Sequence, residues 1–153
     1  QENTRHMIAG ARRARTQMAV LAVDLDNFKA VNDQHGHAAG DTVLVTAAQR
    51  MKQLLREADV IARFGGDEFV IVLVQVDDTE AAREVARRVV DSLRQPIPLA
   101  DGASAHIGAS VGIAMCCEDG DTLDALLKKA DAALYTAKRD GKGTFRQADV
   151  QPV

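Results

Sequence analysis

Hydrophobic residues in this chain occur in blocks whose spacing changes between that of strands and that of helices. The run Ala19–Val23 is apolar at every position, which is typical of a strand buried on both faces. Two further β-rich runs flank a Gly-Gly pair, Val60–Phe64 before it and a run ending near Val76 after it. This arrangement predicts a hairpin, because glycine reaches positive φ without strain. The pattern also predicts a strand over Ala105–Met115 and a short final strand over Gly143–Arg146.

The remaining blocks repeat their apolar residues every three or four positions, as the buried face of a helix does. This spacing predicts a long helix from about Ala39 to Arg56. Asp77 is predicted to cap a second helix, with Glu80 as its capping-box partner, and Thr122 to cap the last one. Two more helices are expected, over Thr4–Arg15 and over Asn27–Gln34, the latter stopped by Gly36.

The order of these elements, βααββαβ with additions, predicts an α+β fold of the ferredoxin-like kind, with a mostly antiparallel sheet and helices on one face. The 153 residues, 46% of them hydrophobic, are expected to form a single domain over residues 1–153. A net charge of −3 argues against nucleic-acid binding through a basic face. The sequence has no membrane-length apolar run and no signal peptide, and its two cysteines are adjacent. A cytoplasmic location is therefore expected.

Four residues at the predicted hairpin turn are the first candidates for chemistry: Gly65, Gly66, Asp67 and Glu68. Two carboxylates beside a bare backbone offer a place where a metal ion and phosphates can sit together. The alternative is a solvated turn that is acidic by chance.

A second acidic segment strengthens the functional interpretation. Alternation along the strand places Asp24 and Asp26 on one side of it. Asp26 is predicted to be the N-cap of the helix that starts near Asn27. Asp24 has no such structural role, and a carboxylate at the end of a buried strand, before a helix N-terminus, is typical of metal or phosphate sites. Together with Asp67 and Glu68 it gives three carboxylates, which suits Mg²⁺ bound to a nucleoside triphosphate.

These motifs resemble those of a known family. Gly65-Gly66-Asp67-Glu68-Phe69 resembles the signature of the GGDEF domain, the diguanylate cyclase family. The segment Asp24-Leu25-Asp26-Asn27-Phe28-Lys29, with Asn32-Asp33, His35-Gly36-His37 and Gly40-Asp41, is similar to the family's first metal and guanine segment. Ala130-Asp131, Leu134-Tyr135 and Ala137-Lys138 resemble its last helix. The resemblance covers nearly the whole chain and implies the palm fold of nucleotide cyclases.

The resemblance implies a nucleotidyltransferase that joins two GTP molecules into cyclic di-GMP and releases two pyrophosphates. It implies Mg²⁺ (or Mn²⁺) held by Asp24, Asp67 and the Leu25 carbonyl. Glu68 is implied as a further ligand or as a base near the attacking hydroxyl, and both roles stay open. Lys29 is placed with Asp67 and Glu68 among the catalytic residues, and Gly65 and Gly66 let the backbone approach the nucleotide.

Base and phosphate recognition involve other segments. Asn32 and Asp41 can read guanine, although each also has a structural alternative, as a helix C-cap and as an exposed charge in a first turn. The first amides of the helix at Asn27 and Phe28 can cradle phosphate. Cations are expected from Lys138, which also suits a helix C-terminus, and more weakly from Lys142, which keeps the charge of an arginine but not its bidentate geometry.

Arg56-Glu57-Ala58-Asp59 fits the RxxD pattern that forms the product-inhibition site in many family members. Arg56 can grip a guanine or a phosphate and Asp59 can accept from a guanine edge. The structural alternative is an arginine at a helix C-terminus followed by a capping turn.

The chain departs from the family at its start, where only Asn3-Thr4-Arg5-His6-Met7 resembles the usual opening segment. It is therefore expected to be an N-terminally truncated fragment of a longer protein. In that protein we expect an upstream sensor domain. Whether a downstream phosphodiesterase domain follows, and whether the protein is anchored in a membrane, are both left open. Catalysis is expected in a homodimer. The alternative function is a catalytically weak domain that binds GTP or cyclic di-GMP and regulates a neighbour.

Overall fold

A computed structural model describes residues 17–116 and 122–148 of the chain. The helix expected over Thr4–Arg15 lies outside the described residues. The described strands and helices, in chain order, are β1 Gln17–Asp26, α1 Phe28–His35, α2 His37–Gln53, β2 Val60–Arg63, β3 Glu68–Val76, α3 Thr79–Leu93, β4 Ile97–Pro98, β5 Ser104–Ala105, β6 Gly108–Cys116, α4 Leu123–Arg139 and β7 Phe145–Gln147.

The main sheet has five strands in the order β2-β3-β1-β6-β7. Strand β1 lies at its centre, antiparallel to β3 on one side and to β6 on the other. The hairpin predicted around the glycine pair is confirmed, because β2 and β3 pair antiparallel. Only β6 and β7 pair in parallel among the described strands of this sheet, while β4 and β5 form a small separate ribbon.

The α+β fold and the mostly antiparallel sheet are confirmed, but the expectation that all helices lie on one face is wrong. Leu21 and Val23 face a core that includes residues of α1, α2 and α3, whereas Val20 and Ala22 face a second core built with α4. The reason is visible in β1, which is apolar at consecutive positions. A strand of that kind must be covered on both faces.

Two helix starts test the capping signals. Thr122 caps α4 as predicted, its hydroxyl accepting from the Ala125 amide at 3.1 Å. The predicted cap of α3 is off by one residue, because the Asp78 carboxylate, and not that of Asp77, accepts from the Ala81 amide at 2.9 Å. Adjacent aspartates have equal capping propensity. The residue at which β3 ends therefore determines which of the two occupies the N-cap position.

Several predicted boundaries also shift. Helix α2 runs from His37 to Gln53, which is earlier at both ends than predicted, and Ala105 belongs to β5 and not to β6. The last strand begins at Phe145 because Gly143 is used in a turn with positive φ. In the described part of the chain, no helix is both long enough and apolar enough to span a bilayer.

Candidate functional site

The predicted metal carboxylates lie where β1 ends and β3 begins. Asp24 pairs in register with Glu68 across these antiparallel strands, and the Leu25 amide donates to the Asp67 carbonyl at 3.0 Å. Asp24 and Asp26 lie on the same face of β1, as their alternation predicts, and both are buried. The fold thus brings together two segments that are about forty residues apart in the sequence.

Asp24 has one satisfied oxygen and one unsatisfied oxygen. The Lys138 ammonium, from the last turn of α4, donates to Asp24 Oδ2. Asp24 Oδ1 is buried and has no hydrogen-bond partner among the described residues. Because a buried carboxylate oxygen without a donor is costly, this atom offers a coordination position for a cation. The donor set therefore fits a hard divalent cation such as Mg²⁺.

The protein does not supply a complete metal cage. Within residues 17–116 and 122–148, no group of three His, Cys, Asp or Glu side chains is close enough to hold a metal ion unaided. Mg²⁺ in nucleotide sites is held by one or two carboxylates together with phosphate oxygens and waters. The arrangement thus suits a metal that arrives with a nucleotide better than a permanent structural ion.

The three carboxylates influence one another electrostatically. Burial raises the pKa of Asp67, and the charge of Asp24 raises it further. Burial also raises the pKa of Glu68, followed by the charges of Asp24, Asp131 and Asp67. Lys138 opposes both shifts. The site therefore concentrates negative charge, which a bound cation would relieve.

Gly65 and Gly66 are not required by the fold itself. Neither has a positive φ, so the expectation that this turn needs glycine for its backbone conformation is wrong. A Cβ on Gly66 would meet no described atom within 4 Å, and one on Gly65 would make only ordinary contact with Glu68, at 3.8 Å. The backbone here is bare towards open space, which leaves room for a ligand.

Asn32 and Asp41 lie on either side of the α1–α2 junction. The Asn32 side chain packs directly on the backbone of Gly40, where an added Cβ would lie 1.8 Å from Asn32 Oδ1. Asp41 follows Gly40 and is exposed in the first turns of α2. The two predicted guanine contacts are therefore neighbours in the fold. The Asn32 carbonyl also accepts from the Gly36 amide at 2.8 Å, so its main chain closes α1 while its side chain remains for other contacts.

The prediction that Asp26 caps α1 is wrong. Asn27, in the left-handed conformation with φ 68°, occupies the N-cap position and makes no side-chain cap bond. The Asp26 carboxylate instead accepts from the Ser110 hydroxyl and the Gly143 amide. Phe28 and Lys29 form the first turn of α1, where backbone amides lack intrahelical partners, and Lys29 is exposed.

The two C-terminal lysines differ in their surroundings. Lys138 is half-buried against Asp24, so its ammonium lies in the site and does more than complement the helix dipole. Lys142 is exposed in the turn after α4, with φ 64°, and its amide donates to the Ala137 carbonyl at 3.1 Å. Its backbone is thus held one turn beyond Lys138.

A profile described as the diguanylate cyclase GGDEF domain matches residues 1–144. This chain belongs to the GGDEF diguanylate cyclase family. It is 46% identical over 136 residues to the diguanylate cyclase TpbB of Pseudomonas aeruginosa, covering 89% of this chain and 31% of that protein. The chain therefore spans less than a third of that relative's length.

Solved structures of GGDEF-family domains have the same fold. The isolated GGDEF domain of TpbB from Pseudomonas aeruginosa aligns with a TM-score of 0.92 at 42% identity, covering 97% of this chain and 86% of that one. The active GGEEF domain of a diguanylate cyclase from Vibrio cholerae aligns with a TM-score of 0.88 at 28% identity, covering 98% and 94% of the two chains. The predicted family and fold class are thus confirmed.

In this GGDEF domain the RxxD residues have unequal environments. The Asp59 side chain is only 3% exposed, and its oxygens accept from the amides of Arg56, at 2.9 Å, and Val74, at 3.2 Å. The Arg56 side chain is 62% exposed and donates to the Gln75 carbonyl. Both side chains therefore connect the loop to β3, Asp59 from a buried position and Arg56 from an exposed one.

Sequence reasoning assigned no role to Asp131 or Ser110. Asp131, on α4, has a pKa raised by burial and adds its charge to that of Glu68. Ser110 is fully buried opposite Asp24 in the β1–β6 register and donates to Asp26. A serine in an otherwise apolar strand was the sequence signal that could have identified Ser110, because a buried hydroxyl requires a hydrogen-bond partner.

Proposed function

We propose that this chain is a diguanylate cyclase domain that condenses two GTP molecules into cyclic di-GMP and releases two pyrophosphates. The observation that carries the proposal is the buried, partnerless Asp24 Oδ1 beside Asp67 and Glu68, in a member of the GGDEF family. This carboxylate group lies next to a bare glycine turn that leaves room for a nucleotide. The clustering of Asn32 with Asp41 supplies a base-reading pair close to the start of α2.

In the proposed complex, Asn32 and Asp41 read the guanine. Asp41 accepts from the guanine N1–H and amino group, and Asn32 supplies both a donor and an acceptor. Adenine cannot match this pattern and would leave polar groups unpaired. The first amides of α1, at Asn27 and Phe28, receive phosphate oxygens, and Lys29, Lys138 and Lys142 supply positive charge.

Asp24, Asp67 and the Leu25 carbonyl are the proposed ligands of Mg²⁺ or Mn²⁺, and Glu68 is either a further ligand or the base for the attacking hydroxyl. When bound, the metal neutralises charge on the α-phosphate and the leaving pyrophosphate. The raised pKa of Glu68 suits a proton acceptor, because burial and then the neighbouring carboxylates increase its proton affinity. Lys138 pairs with Asp24 and offsets part of the repulsion among these acids before the nucleotide arrives.

Each domain binds one GTP in this proposal, so the symmetric product requires two domains that face each other. The ribose 3′-hydroxyl of one nucleotide attacks the α-phosphate of the other across a twofold axis. Cyclic di-GMP then inhibits the enzyme by binding at the exposed Arg56, which Asp59 holds in place.

The deciding experiment is incubation of the purified chain with GTP and Mg²⁺, with the products separated by chromatography. We expect cyclic di-GMP from GTP and no corresponding product from ATP. Asp67→Asn should abolish turnover, because it removes a charged ligand. Asp77→Asn, just beyond the other end of β3, is the matched control and should leave turnover unchanged. GTP binding without product in the unmodified chain would favour the regulatory alternative, and product from Asp67→Asn would exclude the assigned metal site.

A further inference from the structure

The turn that follows α4 has an unusual backbone. Gly141, Lys142 and Gly143 all have positive φ, at 118°, 64° and 60°. Lysine rarely adopts this conformation, because its Cβ crowds the carbonyl oxygen. Such a turn persists only where surrounding contacts hold it, and its position then fixes where the Lys142 side chain begins.

A buried carboxylate holds this turn from the centre of the sheet. Asp26 Oδ2 accepts from the Gly143 amide at 3.0 Å, and the Ser110 hydroxyl donates to the same carboxylate at 2.9 Å. The Gly143 amide also approaches Ser110 Oγ at 3.2 Å. Asp26 and Ser110 are both buried, so the bond between them is shielded from water, and the bonds to the Gly143 amide are partly buried.

The turn is also fixed from its other sides. The Lys142 amide donates to the Ala137 carbonyl at 3.1 Å, and Arg94 donates to the Gly143 carbonyl at 3.3 Å. Ala137 is the neighbour of Lys138, whose ammonium contacts Asp24. The turn therefore lies beside the proposed phosphate side of the site, and Asp26 is two residues along β1 from Asp24.

We propose that Asp26, together with Ser110, is a positioning residue that holds the positive-φ turn so that the Lys142 ammonium reaches the nucleotide triphosphate. This inference rests on the proposed cyclase function, and it assigns Asp26 a role distinct from metal binding. Asp26 does not contact substrate. Its effect passes through the Gly143 amide to the backbone of Lys142.

The test compares ligands that differ only in their phosphates. Calorimetry measures the Mg²⁺-dependent affinity for a non-hydrolysable GTP analogue and for GMP. Asp26→Ala should weaken binding of the analogue about tenfold, on the order expected for loss of a charge-assisted contact, and leave GMP binding unchanged. Asp26→Asn retains an acceptor oxygen for Gly143. Its affinity for the analogue should fall by no more than about threefold, because a neutral hydrogen bond replaces a charge-assisted one.

A double variant of Asp26 and Lys142 distinguishes a positioning role of Asp26 from general destabilisation of the fold. Lys142→Ala should cause a similar loss, and the double variant Asp26→Ala/Lys142→Ala should bind no more weakly than Lys142→Ala alone. Asp78→Ala is the matched control, because it also removes a carboxylate–amide bond, at the start of α3. It should lower the melting temperature and leave the affinity for the analogue unchanged.

Hydrogen exchange gives a readout that does not depend on a nucleotide. The Gly143 amide should exchange faster in Asp26→Ala than in the unmodified chain. If Asp26→Ala fails to fold, Ser110→Ala takes its place. It should give a smaller loss of analogue affinity and a smaller rise in Gly143 exchange, with GMP binding again unchanged, because the bond from the Gly143 amide to Asp26 remains. Additive losses in the double variant, or equal losses for the analogue and GMP, would overturn the positioning role. Failure of the unmodified chain to bind the analogue would instead refute the proposed function.

Discussion

At the scale of single residues, the carboxylates of the proposed cyclase site destabilise the fold. Asp67 and Glu68 both have pKa values raised above their ordinary range, by burial and by neighbouring carboxylates. A raised carboxyl pKa means that the folded state holds the proton more tightly than the unfolded chain does. The fold therefore loses stability as the pH rises from the ordinary pKa, about 4, through the raised one. At pH values above the raised pKa, the full loss of folding stability is present.

We predict that Asp67→Asn raises the melting temperature of the metal-free protein at pH 7, because the amide cannot ionise. The gain should shrink towards zero as the pH falls below about 4, where the natural carboxyl is itself neutral. Thermal unfolding across this pH range measures the effect, with Asp77→Asn as the control. A gain of equal size at pH 7 and below pH 4 would contradict the electrostatic explanation.

The Arg56–Asp59 pair allows inhibition to be separated from folding. Arg56→Ala should relieve inhibition by cyclic di-GMP without changing the initial rate. Its effect on stability should be smaller than that of Asp59→Ala, because the contacts of its guanidinium with Gln75 and Asp59 are solvent-exposed. Asp59→Ala should lower stability by about 1–3 kcal/mol, because it leaves the amides of Arg56 and Val74 without their acceptor. Product-inhibition curves and urea unfolding measure the two effects. If product inhibition were unchanged in Arg56→Ala, the motif would serve only to anchor the loop.

At the scale of elements, the packing of α4 on β6 depends on one glycine. A Cβ on Gly112 would lie 2.0 Å from the Ala130 carbonyl oxygen and 2.3 Å from the Leu134 nitrogen. Both atoms belong to the helix backbone and cannot rotate away. Because α4 also carries Lys138 to Asp24, any displacement of this helix reaches the site.

We predict that Gly112→Ala destabilises the fold by about 1–3 kcal/mol, the usual cost of overpacking, and also weakens GTP binding. Gly66→Ala is the matched comparison, since its Cβ would meet no described atom within 4 Å. It should keep full stability and lose GTP binding, because the space that it fills is the proposed nucleotide position. Urea unfolding and calorimetry distinguish the two. Loss of stability in Gly66→Ala would show that the turn glycines serve the fold.

Elements were predictable from the sequence where the signal is local. The apolar run of β1, the Gly-Gly hairpin and the Thr122 cap each lie within a few residues, and all three are confirmed. The role of Asp26 was not predictable, because Ser110 and Gly143 lie 84 and 117 residues away along the chain. The choice between Asp77 and Asp78 failed for a different reason, since local propensity does not distinguish adjacent aspartates.

The same difference between local signals and contacts of distant residues applies to the site. Motif resemblance assigned Asp24, Asp67 and Lys138 to the site but did not show that Lys138 pairs with Asp24 before any nucleotide binds. Nor did it show that Asp59 is engaged by backbone amides, because that depends on the approach of the loop to β3. Residue identity follows from the sequence, whereas the choice of partner depends on tertiary contacts.

At the scale of the whole molecule, the proposed reaction needs more than one domain. In the proposed mechanism each site holds one GTP and the product joins two guanylates symmetrically, so that mechanism requires two glycine hairpins to face each other. Both partners bring a triphosphate, and each domain carries a net charge of −3. Repulsion therefore opposes the productive pair, and pairing depends on concentration unless a tether supplies it.

We predict that the specific activity of the untethered chain rises with protein concentration. Fusing a parallel coiled coil before Gln1 should raise activity at low concentration, because a short tether gives an effective concentration on the order of millimolar. The measurement is specific activity across a hundredfold dilution, with and without the coiled coil. A coiled coil made monomeric by polar core substitutions is the matched control and should leave the dilution dependence unchanged. Specific activity that stays constant on dilution of the untethered chain would exclude a transient dimer, because a bimolecular encounter cannot be independent of concentration below saturation.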